Sequence, residues 1–451
     1  MGGGASGTLL AVQLLAQARQ PLEVSLIEPD RVGRGVAYGT PHVEHLLNVP
    51  AGRMSALPDD ADHFVSWLAQ AREPADPALF APRRSYGAYL QATLTLAAAL
   101  ARPGVLFHRV QDEAVAVGPQ ADGAVVLLRG GQTVLAHRVA IAIGNRPGPG
   151  PLPELAGRAR YVADPWALGA LDAIAPDHSV LVVGTGLTAV DVVLLLASRG
   201  HLGSILAVSR HGLLPAVHGG VAPLRLTPPR TPPTLRAWVR WARRQQEAAV
   251  SHDWRALVDV LRPLTPKLWQ RLGDADRRRF LRHLRAFWDV QRHRMPPPVA
   301  MQLGELRRRG VLEVAAARVR TAVPGPDGFD VTLNARGTGA PRCVRASWIV
   351  NATGPESDPA RSDSTLLRQL LRDGVARPDP LRLGLAATPA GALLDAHDRA
   401  SDVFFTLGPL LRGLLWETTA VPEIRQQAQA LARLWLAAQP TAEVAVSSRS
   451  A

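Results

Sequence analysis

Two glycine-rich loops, each followed by an apolar helix, constrain this 451-residue chain more than any other feature. The first opens the sequence as "MGGGASG", where Gly2, Gly4 and Gly7 have the spacing G-x-G-x-x-G, and the second lies in "SVLVVGTGLTAVDVVLLLASRG". In a dinucleotide-binding unit such a loop joins a buried strand to a helix whose N-terminus binds a pyrophosphate. The sequence therefore predicts an α/β protein with two Rossmann-like folds and two nucleotides held near one another.

The first loop has its helix and its second strand, but no strand precedes it. The helix is apolar from Leu9 to Leu15, and "LEVSLIEPD" is an apolar run that ends in Glu28. An acid at this distance beyond the glycines can hydrogen-bond a ribose hydroxyl. The sequence therefore predicts a dinucleotide site in a fold whose first strand is missing.

The second loop belongs to a complete strand–loop–helix unit that turns at Gly184 and Gly186. The following strand, "SILAVSR", ends in Ser209 and Arg210 instead of an acid. A hydroxyl and a guanidinium suit the 2′-phosphate of NADP, because a carboxylate would repel that dianion and an arginine can bind it through two parallel hydrogen bonds. The alternative is a solvated loop arginine without a ligand.

The segments downstream of the two loops follow the same plan. Both "EAVAVGPQADGAVVLLRGGQTVLAHRVAIAIGN" and "ARVRTAVPGPDGFDVTLNARGTGAPRCVRASWIVNATG" have the pattern of a β-meander that leads into an apolar strand. Each strand is followed by a glycine, Gly144 in the first segment and Gly354 in the second. This repetition supports two dinucleotide folds in one chain.

The net charge of +13 is concentrated in one segment. Residues 221–310 carry the whole surplus of positive charge and half of the tryptophans, between the Pro-rich stretches "PLRLTPPRTPP" and "RMPPPVA". This segment is predicted to be an inserted helical subdomain. Its arginines alternate with apolar residues and no recognition motif accompanies them, so we expect only weak, sequence-independent binding to nucleic acid.

Composition excludes several other classes. The single cysteine, Cys343, rules out an internal disulfide and fits a reducing compartment. The apolar stretch from Thr8 to Ala18 is too short to span a bilayer. We therefore expect a cytoplasmic protein that does not interact with membranes.

No metal site and no nucleophilic catalytic set is predicted. His42, His45, Asp62 and His63 are close in sequence but lack the i, i+4 spacing that would place two ligands on one helix face. No motif places a Ser/His/Asp or Cys/His set. The sequence leaves the catalytic residues unassigned.

The chain resembles the two-dinucleotide flavoproteins, and more closely a family of FAD/NAD(P)-binding proteins that includes a nitrosuccinate-forming aspartate N-monooxygenase. The matching motifs, spread over nearly the whole length, are "GGGASG", "GVAYGTPHVEHLLNVPAGRMSALPDDADHF", "VADPW", "VVGTGLTAVDVVL", "SRHGLLP", "FLRHLRAFWDVQRHRMPP", "IVNATGP" and "LGPLLRGLLWETTAVPEIRQQA". This set is specific for the family and much less specific for a substrate. The resemblance implies FAD in the first fold and NADPH or NADH in the second, with NADPH favoured by Arg210.

The resemblance also implies roles for individual residues. The FAD pyrophosphate and ribose would be held by Gly2, Gly4, Ser6, Gly7 and Glu28. Residues that would pass near the flavin ring or close over it are Asn48, Val49, Arg53, Met54, Thr353 and Gly354. The NADP site would comprise Gly184, Gly186, Leu187, Thr188, Ser209 and Arg210. Gly408, Trp416 and Thr418 belong to the last motif, which should return the chain to the flavin domain. Pro409 stands where the broader class often has Asp, so the resemblance supplies no carboxylate for the ribityl chain.

Three segments are expected from these patterns. Residues 1–165 would form the first part of the FAD-binding domain, and 166–345 the NAD(P)-binding domain with the Arg-rich helical insert at about 222–310. Residues 346–451 would return to the FAD-binding domain. The resemblance implies an FAD-dependent NAD(P)H oxidoreductase, a monooxygenase acting on the amine nitrogen of a small molecule such as an amino acid or amine. A reductase or redox-sensing protein without oxygenation is the alternative, and a nucleic-acid binder is the third.

The first loop leaves a further question about the start of the chain. A member of this family has a strand of roughly six apolar residues before the glycines. One explanation is a start codon assigned too late, in which case the extended protein would purify yellow. The other is a short form with impaired flavin binding, because unpaired backbone groups in a buried sheet cost about 1–3 kcal/mol each. Both explanations stay open at this point.

Overall fold

A computed structural model describes residues 1–220, 224, 234–248 and 253–438. The Pro-rich entry predicted for the insert lies almost wholly outside these residues. The elements of the first part are α1 (Ala5–Gln17), β1 (Leu22–Ile27), α2 (Gly35–Tyr38), α3 (His63–Gln70), α4 (Arg83–Ala99), β2 (Val105–Val110), β3 (Ala114–Gln120), β4 (Gly123–Leu128), β5 (Thr133–Ala136) and β6 (Val139–Ile141).

The remaining elements follow in chain order. They are β7 (Tyr161–Val162), β8 (Val180–Val183), α5 (Leu187–Ser198), β9 (Ile205–Ser209), α6 (Leu235–Ala248), α7 (Trp254–Leu261), α8 (Thr265–Arg271), α9 (Asp274–His283), α10 (Arg285–Arg292), α11 (Pro297–Arg308), β10 (Leu312–Gly325), β11 (Gly328–Ala335), β12 (Pro341–Ala346), β13 (Trp348–Asn351), α12 (Thr365–Arg372), β14 (Ala392–Leu394), β15 (Ala400–Thr406), α13 (Arg412–Leu415) and α14 (Val421–Ala437).

Met1 and Gly2 lie between two small sheets and bond to both. One sheet is the parallel pair β1–β2, and the other has the order β14–β15–β6. The Met1 amino group donates to the Ala140 carbonyl at 2.8 Å, and the Gly2 N–H donates to the Ile27 carbonyl at 2.9 Å. The first regular element of the described residues is α1, and the Ala142 N–H donates back to the Met1 carbonyl at 2.8 Å.

The second fold is built on one continuous seven-stranded sheet of order β12–β11–β10–β9–β8–β13–β7. The strands from β10 to β7 pair in parallel, whereas β11 and β12 add antiparallel hairpins to the same sheet. In the first fold the corresponding meander, β3–β4–β5, forms a sheet of its own. Both predicted meanders are therefore present, and the predicted α/β architecture is confirmed.

The helix after each glycine loop is the centre of a core. Because α1 carries no charged residue, it buries ten consecutive positions from Ser6 to Leu15 and packs against β1, α4 and α14. The helix α5 is apolar apart from Asp191 and packs against α11, whose Val299 and Leu303 are buried in the same core. The helix α11 therefore packs with the second fold, although it lies within the segment predicted as the insert. None of the described helices is long and apolar enough to cross a bilayer.

The helices α6 to α10 form the helical subdomain, which is joined to the C-terminal motif by buried contacts. The Arg292 guanidinium lies 2.9 Å from a Glu417 carboxylate oxygen, and both side chains are almost fully buried. The Trp269 indole stacks on Trp416 with ring centroids 5.0 Å apart, and its N–H donates to the Gly413 carbonyl at 2.8 Å. The last motif of the chain thus lies between the helical subdomain and the first fold.

Candidate cofactor-binding site

A cavity of about 940 Å³ lies between the two folds. Six of the residues predicted from the sequence line it: Gly2, Gly4, Ser6, Glu28, Thr188 and Gly354. Sites for drug-sized ligands occupy about 300–1,000 Å³. The cavity is therefore large enough for a nucleotide cofactor that spans both folds.

The three glycines of the first loop have different structural roles. Gly2 has φ +93°, and a side chain there would meet the Ala142 carbonyl. Gly7 approaches the Gly2 carbonyl so closely that a Cβ would overlap it. A Cβ at Gly4 would have only the Gly35 Cα within 4 Å, at 3.7 Å. The outer glycines therefore fix the turn, while Gly4 leaves open space at the N-terminus of α1.

The second loop repeats this arrangement. Gly184 has φ +127°, and a side chain there would overlap the Ala352 carbonyl, while a Cβ at Gly186 would meet nothing within 4 Å. Ala189 stands at the third position and is buried. The helices α1 and α5 begin after Gly4 and Gly186, and no side chain caps either N-terminus. Uncapped N–H groups beside open space are the donors that a pyrophosphate requires, so both loops fit a dinucleotide.

A hydrogen bond from the first loop orients the Glu28 carboxylate. One carboxylate oxygen accepts the Gly3 N–H at 2.6 Å and the other accepts the Asp30 N–H at 3.3 Å. The side chain also lines the cavity. A carboxylate held in this way beside the first loop can accept a hydrogen bond from a ribose hydroxyl.

The residues predicted near the flavin ring do not line this cavity, apart from Gly354. Val49 and Met54 are buried in the core of the first fold, and Arg53 is exposed without an ion pair among the described residues. The Asn48 carbonyl lies 2.9 Å from Nε2 of His218, which precedes the helical subdomain. The hydroxyl of the exposed Thr353 donates to the Asn351 side chain at 2.7 Å.

The last motif packs against the first loop where Gly408 contacts Ser6. Gly408 has φ +74°, and a side chain there would overlap the Ser6 hydroxyl. The buried Thr418 hydroxyl donates to the Gly408 carbonyl at 2.9 Å. Trp416 is buried against the helical subdomain instead of facing the cavity, whereas Pro409 lines it. The motif therefore positions Ser6 through the backbone of Gly408.

The end of β9 carries more positive charge than the sequence suggested. Arg210 is exposed and makes no ion pair with any described residue. The ring of His211 contacts the Arg336 guanidinium. The pKa of His211 is lowered mainly by burial. The positive charges of Arg336, Arg210 and Arg318 lower it further. No carboxylate is among the charges that act on this ring, so the β9-end cluster of Arg210, His211, Arg318 and Arg336 fits a phosphate.

Ser209 is already hydrogen-bonded within its own loop. Its hydroxyl oxygen accepts the Gly212 N–H at 3.0 Å and lies 2.8 Å from the Thr185 hydroxyl. Spacing along the chain does not reveal Arg318 and Arg336, because both reach this point only through strand pairing. The pairing of β9 with β10 sets Ser209 opposite Ala316, whose carbonyl accepts the Arg336 N–H. The order of strands in the sheet would have revealed these two arginines, but that order could not be predicted from the sequence.

A buried ion pair connects the two folds beside the cavity. The Arg83 guanidinium at the start of α4 lies 2.8 Å from the Asp191 carboxylate on α5. The same guanidinium lies 5.3 Å from the ring centroid of Trp166, and the His45 ring meets that indole edge-on. No group of three potential ligands in the described residues could hold a metal ion. This pair was not predicted from the sequence, although the acid within the apolar stretch "VDVVLLL" was a signal for it.

Replacing Asp191 by asparagine is expected to change how stability depends on pH. Burial raises the pKa of Asp191 from its ordinary 3.8 to about 6, despite the nearby charge of Arg83. Between these values the native state binds more protons than the unfolded state, so the contribution of Asp191 to stability falls as pH rises. Urea unfolding of the wild type and Asp191→Asn should show this difference between pH 4 and 6. Parallel stability profiles would contradict the raised pKa.

Comparison with known proteins agrees with this geometry. The model of a family described as FAD-NAD(P)-binding matches residues 1–146. A search of curated proteins finds no match. An ornithine hydroxylase from Pseudomonas aeruginosa has a similar structure, with 15% identity, 97% of each chain covered and a TM-score of 0.67.

Two further structures extend this comparison. An L-lysine 6-monooxygenase from Pseudomonas syringae has 16% identity, with 96% of this chain and 97% of that chain covered and a TM-score of 0.64. An ornithine N-hydroxylase from Kutzneria sp. 744, solved with reduced FAD, NADP⁺ and L-ornithine, has 17% identity, the same coverage and a TM-score of 0.61. The chain thus shares the complete two-dinucleotide flavoprotein fold, which confirms the fold that the motifs predicted.

Proposed function

We propose that this protein is an FAD-dependent NADPH oxidoreductase that hydroxylates the amine nitrogen of a small molecule. The observation that carries the proposal is the pair of uncapped glycine loops, one in each fold. The solved structures that share the fold over 96–97% of this chain include hydroxylases of ornithine and lysine. The balanced reaction converts an amine, O₂, NADPH and H⁺ into a hydroxylamine, NADP⁺ and H₂O.

The chain's own part in this reaction is to bind and orient. The N-terminus of α1 would hold the FAD pyrophosphate and Glu28 its ribose, while the N-terminus of α5 would hold the pyrophosphate of NADPH. The chemistry that the bound cofactors supply is hydride transfer and activation of oxygen. The cavity between the folds is lined by Gly4 of the first loop and by Thr188 beside the second, which supports two nucleotide sites near one another.

The cellular setting follows from the same chemistry. Cys343 is a free, exposed cysteine, and the proposed reaction consumes NADPH. Both features fit the cytoplasm, where thiols stay reduced. The proposed partner is a small-molecule amine, with no membrane and no specific nucleic acid.

An absorption spectrum followed during turnover tests this proposal. We expect the purified protein to show a flavin spectrum, to bleach on anaerobic addition of NADPH, and to recover its colour in air. With a suitable amine, NADPH consumption should rise and a hydroxylamine should accumulate. NADPH consumption that yields only hydrogen peroxide with every amine would favour the reductase or redox sensor, and absence of flavin would refute the proposal.

A further inference from the structure

The Arg83–Asp191 ion pair connects the helices of the two glycine loops. Asp191 lies on α5, which begins directly after Gly186, and its carboxylate lies 2.8 Å from the Arg83 guanidinium. Arg83 begins α4, and α4 packs against α1, the helix that begins after Gly4. The pair therefore joins the helix of the first loop, through α4, to the helix of the second loop.

Arg83 is held in place from several sides. Its backbone N–H donates to the His45 carbonyl at 2.8 Å, and its Nε donates to the Leu46 carbonyl at 3.0 Å. Its guanidinium carbon lies 5.3 Å from the ring centroid of Trp166. The Arg83 side chain is 14% exposed and that of Asp191 is 8% exposed. A guanidinium fixed in this way gives the carboxylate on α5 one defined position relative to the first fold.

Stability alone does not account for two charges in this place. Burial raises the pKa of Asp191 to about 6, so its ionised form costs free energy in the folded chain at neutral pH, even beside Arg83. Apolar residues of similar volume can often replace such a pair without loss of stability, whereas the pair can specify one arrangement of the parts that it joins. Apolar packing also holds the two folds together, because Leu46 packs against the core of the second fold. The pair therefore contributes orientation more than cohesion.

We propose that Arg83 and Asp191 are positioning residues that orient the second fold for hydride transfer from NADPH to FAD. This inference rests on the proposed function and assigns the pair a role in its first step. The balanced step converts FAD, NADPH and H⁺ into reduced FAD and NADP⁺. Its reacting atoms must lie about 3–3.5 Å apart, and a displacement of about 1 Å can lower a rate about a hundredfold. Because each nucleotide would be held by a different fold, their separation depends on the interface that contains this pair.

The orientation of the two folds can be measured without turnover. Cys343, the single cysteine, is exposed on β12 of the second fold. Leu100, which follows α4 and is 74% exposed, supplies a second position in the first fold as Leu100→Cys. With a nitroxide on each cysteine of the full-length, FAD-loaded protein, pulsed electron spin resonance should give one narrow distribution of distances. The double substitution Arg83→Met, Asp191→Leu should broaden or shift it, because apolar side chains keep the folds in contact without fixing their angle.

Rapid mixing under anaerobic conditions then measures the step itself. At saturating NADPH, flavin reduction in the double variant should be at least about tenfold slower than in the wild type. Its flavin content and its affinity for 2′,5′-ADP should be unchanged, since neither residue belongs to a glycine loop. Sodium dithionite, which reduces flavin without the second fold, should act on both proteins at the same rate. Arg83→Lys should keep part of the NADPH rate, because it retains a positive charge opposite Asp191.

Two further variants control for folding and for loss of an ion pair. Arg308→Met, Glu305→Leu is the matched control, because it removes an ion pair of 2.5 Å that lies within one helix of the second fold. It should change neither the distance distribution nor the rate of flavin reduction. Arg83→Gln, Asp191→Asn provides a second neutral pair should the first double variant fail to fold.

The outcomes separate this inference from the proposed function. A folded neutral variant that keeps either the wild-type distance distribution or the wild-type rate with NADPH would overturn the inference, as would equal slowing with NADPH and dithionite. An amine hydroxylase whose flavin is reduced equally fast without the pair would support the proposed function and refute the role of Arg83 and Asp191. Flavin reduction that depends on the pair, in a protein that hydroxylates no amine, would support the inference and refute the proposed reaction.

Discussion

Gly4→Val is expected to give a folded protein with less than about a tenth of the wild-type FAD content, which corresponds to a loss of at least about 1.4 kcal/mol in binding. Because a Cβ at Gly4 meets only the Gly35 Cα, the fold can accept a side chain at this position. That side chain would fill the space in front of the uncapped N-terminus of α1, where the pyrophosphate must approach. The measurement is the ratio of flavin to protein absorbance after identical purification, with circular dichroism to verify folding.

Two other glycine substitutions make this result specific. Gly186→Val occupies the equivalent open position in the second loop, so it should keep its flavin and lose NADP⁺ binding. Gly304→Val introduces the same side chain into α11, where nothing lies within 4 Å, and should leave both cofactors bound. Full flavin occupancy in a folded Gly4→Val protein would show that the first loop does not bind the FAD pyrophosphate.

The double substitution Arg210→Ala, Arg336→Ala is expected to remove the preference for NADPH over NADH. Loss of a charge-assisted hydrogen bond costs about 1.5–3 kcal/mol, so Arg210→Ala alone should raise the KM for NADPH about ten- to a hundredfold. Adding Arg336→Ala should raise it further, because both guanidiniums belong to the β9-end cluster. The KM for NADH should change little, since NADH has no 2′-phosphate.

A binding measurement checks this prediction independently of turnover. Titration calorimetry with 2′,5′-ADP and 5′-AMP should show weakened binding of the first nucleotide only. Arg320→Ala is the control, because Arg320 is also exposed on β10 but is not among the charges that act on His211. Equal losses for NADPH and NADH would mean that these arginines act on the loop as a whole and do not recognise the phosphate.

The sequence was most informative where local chemistry determines local structure. The glycine spacing and the adjoining apolar runs predicted the loops at Gly2 and Gly184, and alternating turns and strands predicted both meanders. These signals lie within short stretches, because the turn, the strand and the helix of each loop are neighbours in the chain. The same local logic identified Glu28, which the structure places beside the first loop and in the wall of the cavity.

Residues that meet only through tertiary structure could not be found in this way. Arg210 and Arg336 come together because β10 pairs with β9, and because the N–H of Arg336, which follows β11, donates to the Ala316 carbonyl on β10. Arg83 and Asp191 meet across the boundary of two folds. Each of these contacts joins residues that are far apart in the chain and close in the folded structure, so composition and motif spacing do not predict it.

The turn at Gly408 packs against Ser6, so the first loop depends on a segment that is synthesised much later. The loop that holds Ser6 is synthesised first, whereas the turn at Gly408 and the Gln427 amide that accepts its N–H are synthesised some four hundred residues later. Contacts between such distant parts of a chain form late in folding. The first loop can therefore reach its final shape only after the C-terminal motif has been synthesised and has packed against Ser6.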